Sequence, residues 1–311
     1  MEVRAREDAV GLGGARRTAR WGRTVPARGR GVLGGTVAAA GEQDREQRDG
    51  GLDWRVGSVG RHGRRMTPDP LFTGDAVGGW LQLPSPAVAE IAGSVGFDLV
   101  CVDTQHGLIG DDTVLGMLQA LSATGTPSLV RVPGHGAEGI GRALDRGADG
   151  VIVPLVETAE QAAAAVAACR YPPDGVRSFG PVRPSWQGRD VFAPPHTVVM
   201  VETVAAVANL SDVVAVDGVA AVFVGPSDLA LAHGLPLAAQ GDGGPESDRH
   251  AELVSGIAAE CARAGVPVGI YCDSPAHVRR FRALGCTFTM LAAEQAILRS
   301  ALAEKLADAR R

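Results

Sequence analysis

Eight short apolar runs, separated by helix-forming stretches, constrain this chain more than any other feature. They span residues 77–83, 97–103, 128–132, 150–155, 197–202, 220–225, 267–271 and 287–291. Several are nearly continuous in Val, Ile, Leu and Phe, the mark of parallel strands covered on both faces. Helices are predicted between them at 85–92, 111–123, 138–146, 157–169, 204–210, 246–264 and 274–284, with a last one at 294–309. Strand–helix units repeated eight times at this length predict an α/β protein of the (β/α)₈ TIM-barrel type. The competing arrangement, an open doubly wound sheet, is disfavoured because no glycine-rich dinucleotide fingerprint follows the first strand. The longest irregular stretch, 171–196, is rich in Arg, Pro and Gly, and loops of that length are usually functional or interfacial.

Residues 1–65 read differently. They hold 14 arginines against 8 acidic residues, much glycine and no sustained apolar period. Such a segment buries too little surface to offset its conformational entropy, so a disordered extension is expected there, with 66–311 as the barrel domain and Met66 as a candidate natural start. The apolar patch at 37–40 is too brief for a secretory signal. The whole chain carries a net charge of −5, which gives no reason to expect nucleic acid as a partner. No apolar run approaches the length that crosses a bilayer. The five cysteines are scattered, with no CxxC pair, as in a protein of the reducing cytoplasm. Cys272, at the end of a strand, is the one expected to be more open.

In a barrel the chemistry sits at the C-terminal ends of the strands, and there this chain places a polar set. Trp80 lies on the first strand, Asp103 and then His106 end the second, Arg131 lies near the end of the third, and Glu202 ends the fifth. The sixth runs into Gly225-Pro226-Ser227-Asp228. Each has a plainer role open to it. Glu202 and Asp228 can cap the helices that follow. His106 can be a loop histidine, Arg131 a structural ion-pair partner, Trp80 barrel packing and Gly225-Pro226-Ser227 a turn. Taken together, two carboxylates with no nearby His or Cys suit a hard cation that keeps several waters, Mg²⁺ or Mn²⁺, with Co²⁺ as a substitute. One compositional fact bears on the reaction. The chain has a single lysine, Lys305, in its last predicted helix. Chemistry that runs through a Schiff base needs a lysine inside the site; without one, a metal must serve as electron sink.

The motifs FDLVCVDTQHG at 97–107, SLVRVPG at 128–134, GADGVIVPLVET at 147–158, RYPPDGVRSFGPVR at 170–183, MVET at 200–203 and VDGVAAVFVGPSDLA at 216–230 resemble, in this order, the HpcH/HpaI aldolase family of class II pyruvate aldolases. The resemblance covers about 78–302 and implies a barrel of the phosphoenolpyruvate/pyruvate superfamily. It implies a carbon–carbon lyase that cleaves a 4-hydroxy-2-oxo acid to pyruvate and an aldehyde. By position it implies Glu202 and Asp228 as metal ligands and His106 as catalytic base, acting on or through a water on the metal. Asp145 would be the acidic partner of that histidine, Arg131 would steady the enolate oxygen, and Gly225 and Ser227 would receive the pyruvate carboxylate. Asp103 would hold a water on the metal, and Trp80 would line the pocket. It further implies a homo-oligomer, a hexamer, with the last helix exchanged between subunits. Two departures stand out. Met200 occupies a place where many members have Gln, and Gln105 one where many have Glu; both bear on the support of the site rather than its ligands. The readings that compete with an aldolase are a CoA-thioester lyase like citrate lyase β-subunits or malyl-CoA lyases, and a non-catalytic metabolite-binding barrel.

Overall fold

In a computed structural model of the chain, residues 69–74, 76–241 and 243–311 are described; the expected extension over 1–65 lies outside them. Eight strands, β1 (Ala76–Leu81), β2 (Leu99–Asp103), β3 (Ser128–Arg131), β4 (Gly150–Val153), β5 (His196–Val201), β6 (Val219–Val224), β7 (Val268–Cys272) and β8 (Phe288–Ala293), pair in parallel and in sequence order, and β8 closes on β1. The predicted TIM barrel is present.

The helices are α1 (Pro86–Ser94), α2 (Asp111–Thr124), α3 (Ala137–Asp145), α4 (Ala159–Cys169), α5 (Val182–Trp186), α6 (Val204–Ala208), α7 (Leu210–Val214), α8 (Pro226–Ala232), α9 (Pro245–Ala264), α10 (Pro275–Ala283) and α11 (Glu294–Ala309). Their starts follow local chemistry. Ser85, Thr158, Thr203 and Ser274 each accept a bond from a backbone N–H of the first turn, and Thr158 forms a full capping box with Gln161. Three elements depart from the sequence expectation. The helix predicted at 204–210 is two short helices meeting at Asn209. The short α8, opened by Pro226, precedes the long helix after β6 and is too brief for a 3.6-residue period to reveal. The irregular stretch at 171–196 contains α5.

Alternation along the strands separates two cores. Leu99, Cys101, Leu129, Ile152, Val198, Met200, Ala221, Phe223, Phe288 and Met290 fill the barrel interior. Val100, Val102, Val130, Val151, Val153, Val199, Val222, Val224, Val268 and Ile270 face the helices. A 3₁₀ turn, Pro70–Phe72, plugs the N-terminal end. Phe72 is fully buried, its ring 5.1 Å from those of Phe288 and His196, and its carbonyl accepts a 2.7 Å bond from the Thr287 hydroxyl. All five cysteines are free and buried. Cys272, expected to be more open, is sealed because it ends β7 on the helix-facing side, in the outer core. No helix among the described residues is long and apolar enough to cross a membrane.

Phe288 joins the plug to the interior and is itself fully buried. Phe288→Ala is therefore expected to destabilise the fold by about 3–5 kcal/mol, through lost transfer energy and a residual cavity. Urea unfolding checks this, and an unchanged midpoint contradicts the packing described.

Candidate active site

The inward positions that fill the barrel with Leu, Ile and Phe change character at its C-terminal end. Asp103 and Arg131 are register partners on β2 and β3. Asp103 is fully buried and Arg131 nearly so. The guanidinium grips the carboxylate with two bonds, Nε to Oδ1 at 2.8 Å and Nη2 to Oδ2 at 2.6 Å. Trp80 Nε1 (3.3 Å) and Gln82 Nε2 (3.0 Å) also donate to Oδ2, and the backbone N–H groups of Gln105 (3.1 Å) and His106 (3.2 Å) donate to Oδ1. Burial alone raises the Asp103 pKa, but the bonds from Arg131 and its charge, then Gln82 and the His106 amide, hold it below the usual carboxylate range. The Arg131 guanidinium also lies 4.8 Å from the Trp80 ring centre, and Trp80 stacks on Phe223 at 5.5 Å.

Glu202 follows β5 and is 2% exposed. Thr203, not Glu202, caps α6, with its hydroxyl accepting from Ala206 N at 3.1 Å. Glu202 instead accepts a 2.8 Å bond from the backbone N–H of Leu155, beyond the end of β4. Leu155 sits in left-handed backbone conformation, φ 55°; a branched residue there is strained, and such strain concentrates at functional positions. The Glu202 pKa is pushed up to about 7, mainly by burial and further by the neighbouring charge of Asp228, against the Leu155 bond and Arg131. Asp228 is exposed in the first turn of α8, so a charge–dipole role there stays open. Gly225 is a necessary gap: a Cβ on it would collide with Glu202 Oε2 and lie 3.2 Å from Glu202 Cβ. The Ser227 hydroxyl accepts from Gln240 Nε2 at 3.1 Å.

The structure thus brings Trp80, Asp103 and Arg131 into one bonded network, and Glu202 feels the charges of Arg131 and Asp228. His106 is exposed on the loop after β2, tied in by its backbone. Asp145 is not brought to this set. It ends α3, and because barrel helices run antiparallel to the strands it lies at the opposite face, where Arg177 binds its Oδ1 at 2.6 Å. The stretch 171–196 is there too, linking the end of α4 to the start of β5. Its Arg183 and Arg189 hold the carbonyls of Arg146 and Gly147. It therefore lies away from the mouth of its own barrel.

Sequence reasoning missed Gln82, Tyr271 and Leu155. Gln82 and Tyr271 are polar residues at strand ends and were visible as such. Tyr271 points inward from β7, edge-on to Trp80 with ring centres 5.7 Å apart, and its pKa is pushed up to about 12 by burial. Leu155 contributes only a backbone N–H, which no residue type announces.

A profile of the HpcH/HpaI aldolase/citrate lyase family matches residues 77–301. The chain belongs to that family. It is 39% identical over 244 residues to a hydroxypyruvate/pyruvate aldolase of Rhizorhabdus wittichii, covering 76% of this chain and 94% of the relative. It is 38% identical over 244 residues to a 5-keto-4-deoxy-D-glucarate aldolase of Klebsiella pneumoniae subsp. pneumoniae, covering 75% and 91%. A solved HpcH/HpaI aldolase/citrate lyase family protein from Burkholderia cenocepacia superposes with a TM-score of 0.67 at 31% identity, over 76% of this chain and 95% of that one. The protein is an enzyme, a carbon–carbon lyase of the aldolase kind.

Asp103→Asn removes the charge facing a buried guanidinium and is expected to destabilise the fold by about 3–5 kcal/mol at neutral pH. Because the folded-state pKa of Asp103 is depressed, its stabilisation is fully present above the unfolded Asp value of about 3.9 and is lost as pH falls through the lower folded value. The gap between wild type and variant in urea unfolding should therefore be constant at higher pH and narrow only in that acid range. A gap that closes near neutrality contradicts the assignment.

Proposed function

We propose that the protein is a class II pyruvate aldolase that holds a divalent cation on Glu202 and Asp228 and cleaves a 4-hydroxy-2-oxo acid to pyruvate and an aldehyde. The observation that carries this is Glu202: an inward, buried carboxylate relieved of helix capping by Thr203, with a second carboxylate close enough to raise its pKa. Such a pair disfavours its own ionisation and is stabilised by a cation. Among the described residues no group of three or more His, Cys, Asp or Glu side chains is placed to hold a metal. Two carboxylates plus water therefore fit Mg²⁺ or Mn²⁺ better than zinc. The lone lysine supports the same route: Lys305 is exposed on α11, outside the barrel.

A cation bound there supplies Lewis-acid stabilisation of the enolate that forms when the C3–C4 bond breaks. The protein's own residues do the rest. Gly225 and Ser227 receive the substrate carboxylate, with Ser227 oriented by Gln240. His106 takes the proton of the C4 hydroxyl, the electrons of the C3–C4 bond pass to the pyruvate fragment as its enolate, the aldehyde departs, and the proton returns to C3 to give pyruvate. Arg131 faces the developing oxyanion. Its Nε and Nη2 are committed to Asp103, while Nη1 makes no hydrogen bond among the described residues, so the fork is pre-aimed. Asp103 fixes Arg131 and holds site water, Trp80 walls the pocket, and condensation runs the same path backwards.

The working form is proposed to be a homo-oligomer, a hexamer, in the cytoplasm. α11 buries none of its own residues and exposes Ile297, Leu298, Leu302 and Leu306, a surface suited to packing on a second copy. Asp145 lies at the opposite face of the barrel from His106 of the same copy, so pairing of the two would join one copy to another. The catalytic unit is the single barrel within 66–311.

Incubation with 4-hydroxy-2-oxo acids should release pyruvate only with Mg²⁺ or Mn²⁺ present. Glu202→Gln should abolish that turnover and leave the circular dichroism spectrum unchanged. Full activity in the variant, or of the wild type in excess chelator, overturns the proposal.

A further inference from the structure

Glu294 opens the last helix, yet its carboxylate is spent mainly on the first strand. Oε1 accepts from the backbone N–H groups of Gln82 at 2.7 Å and Leu83 at 2.6 Å, and Oε2 accepts from Gln82 N at 2.9 Å. Its only bond within its own helix is longer, 3.2 Å from Gln295 N. Helix capping does not account for such an arrangement. The backbone before it is bent to make it. Ala292 has φ 42°, one of two non-glycine residues with positive φ among those described, and the other, Leu155, serves Glu202. The β1–β8 register shifts between Gly79 and Trp80, and the Tyr271 hydroxyl accepts from Ala293 N at 2.9 Å. Strain of this kind persists where surrounding contacts over-determine it.

What Glu294 holds is the residue on which the site leans. Gln82 sends its side-chain amide to Asp103 Oδ2 at 3.0 Å. Its carbonyl accepts from Leu108 N at 2.8 Å, on the loop that carries His106. Gly107 in that loop packs so tightly that a Cβ would lie 3.2 Å from Gln82 Cα and collide with the Asp103 carbonyl. One residue therefore touches both the Asp103–Arg131 pair and the His106 loop, and its backbone is clamped from across the barrel seam.

We propose that Glu294 is a positioning residue for the reaction, acting through Gln82 to fix the Asp103–Arg131 pair and the His106 loop. This rests on the reading that those residues serve an aldolase. The probe is exchange of the methyl protons of pyruvate for deuterium by the full-length chain with Mg²⁺, followed by proton NMR. Glu294→Gln, which presents an N–H where an acceptor is needed, should lower kcat for exchange roughly 10–100-fold, as loss of a supporting partner does. KM for pyruvate should change little, since the effect is on geometry at the reacting centre rather than on uniform binding. Gln82→Ala should do the same. The double variant should be no worse than the weaker single, because both act through one path. Wild-type kcat in Glu294→Gln, or losses that multiply in the double variant, overturn the proposal. If Glu294→Gln does not fold, Gln82→Ala decides alone: wild-type kcat in that folded variant overturns it. Glu202→Gln separates the two levels. Loss of exchange there upholds the underlying reading whatever Glu294 does, whereas persistence of exchange, or its absence from the wild type, overturns that reading and this inference with it.

Discussion

Asp103 and Arg131 stand side by side on adjacent strands at the top of an apolar barrel. Neither charge is tolerable there alone, and even a pair recovers its desolvation only when the remaining lone pairs and protons are also matched. The surroundings supply those matches: indole, side-chain amide and two backbone N–H groups on the carboxylate, and an aromatic face beside the guanidinium. Much of what is distinctive around the site follows from this demand. Trp80 faces inward although it is large, and the loop after β2 turns back so that its amides reach Asp103. Gln82 is held where its side chain can reach too.

On the far side of the site the logic reverses. Glu202 and Asp228 are left as an unneutralised pair, one buried and one exposed, with a single backbone N–H and the field of Arg131 in partial compensation. The barrel thus carries one charge pair that is complete and one that is incomplete, and the incomplete pair is where the proposed cation would sit. A side chain at Gly225 would press on Glu202 there.

Most of the barrel was legible in the chain because parallel strands buried on both faces leave near-continuous apolar runs, and polar residues ending such runs stand out. That is how Asp103, Arg131 and Glu202 were found. The same logic fails where a contact depends on three-dimensional register. Nothing in the vicinity of Glu294 says that its carboxylate reaches Gln82, and Leu155 acts through a group every residue but proline possesses. Capping gave a false alternative for Glu202; the geometry gives the cap of α6 to Thr203 and frees the acid. Loop length is uninformative in another way. The stretch at 171–196 is long because it buttresses the N-terminal face, and length carries no information about which face a loop covers.

The closure of β8 on β1 has a consequence in time rather than in space. The bonds from Gln82 to Glu294 join residues 212 positions apart, and contacts of such separation must wait for nearly the whole chain to be in place. During synthesis, strands β1 to β7 can pair as they appear, but the seam has no second side until the last strand arrives. The residues that would bind metal and substrate all precede the last two strands, and the Glu294 contact to Gln82 is made last. A chain released short of its final helix would have its chemical groups without the frame that aims them.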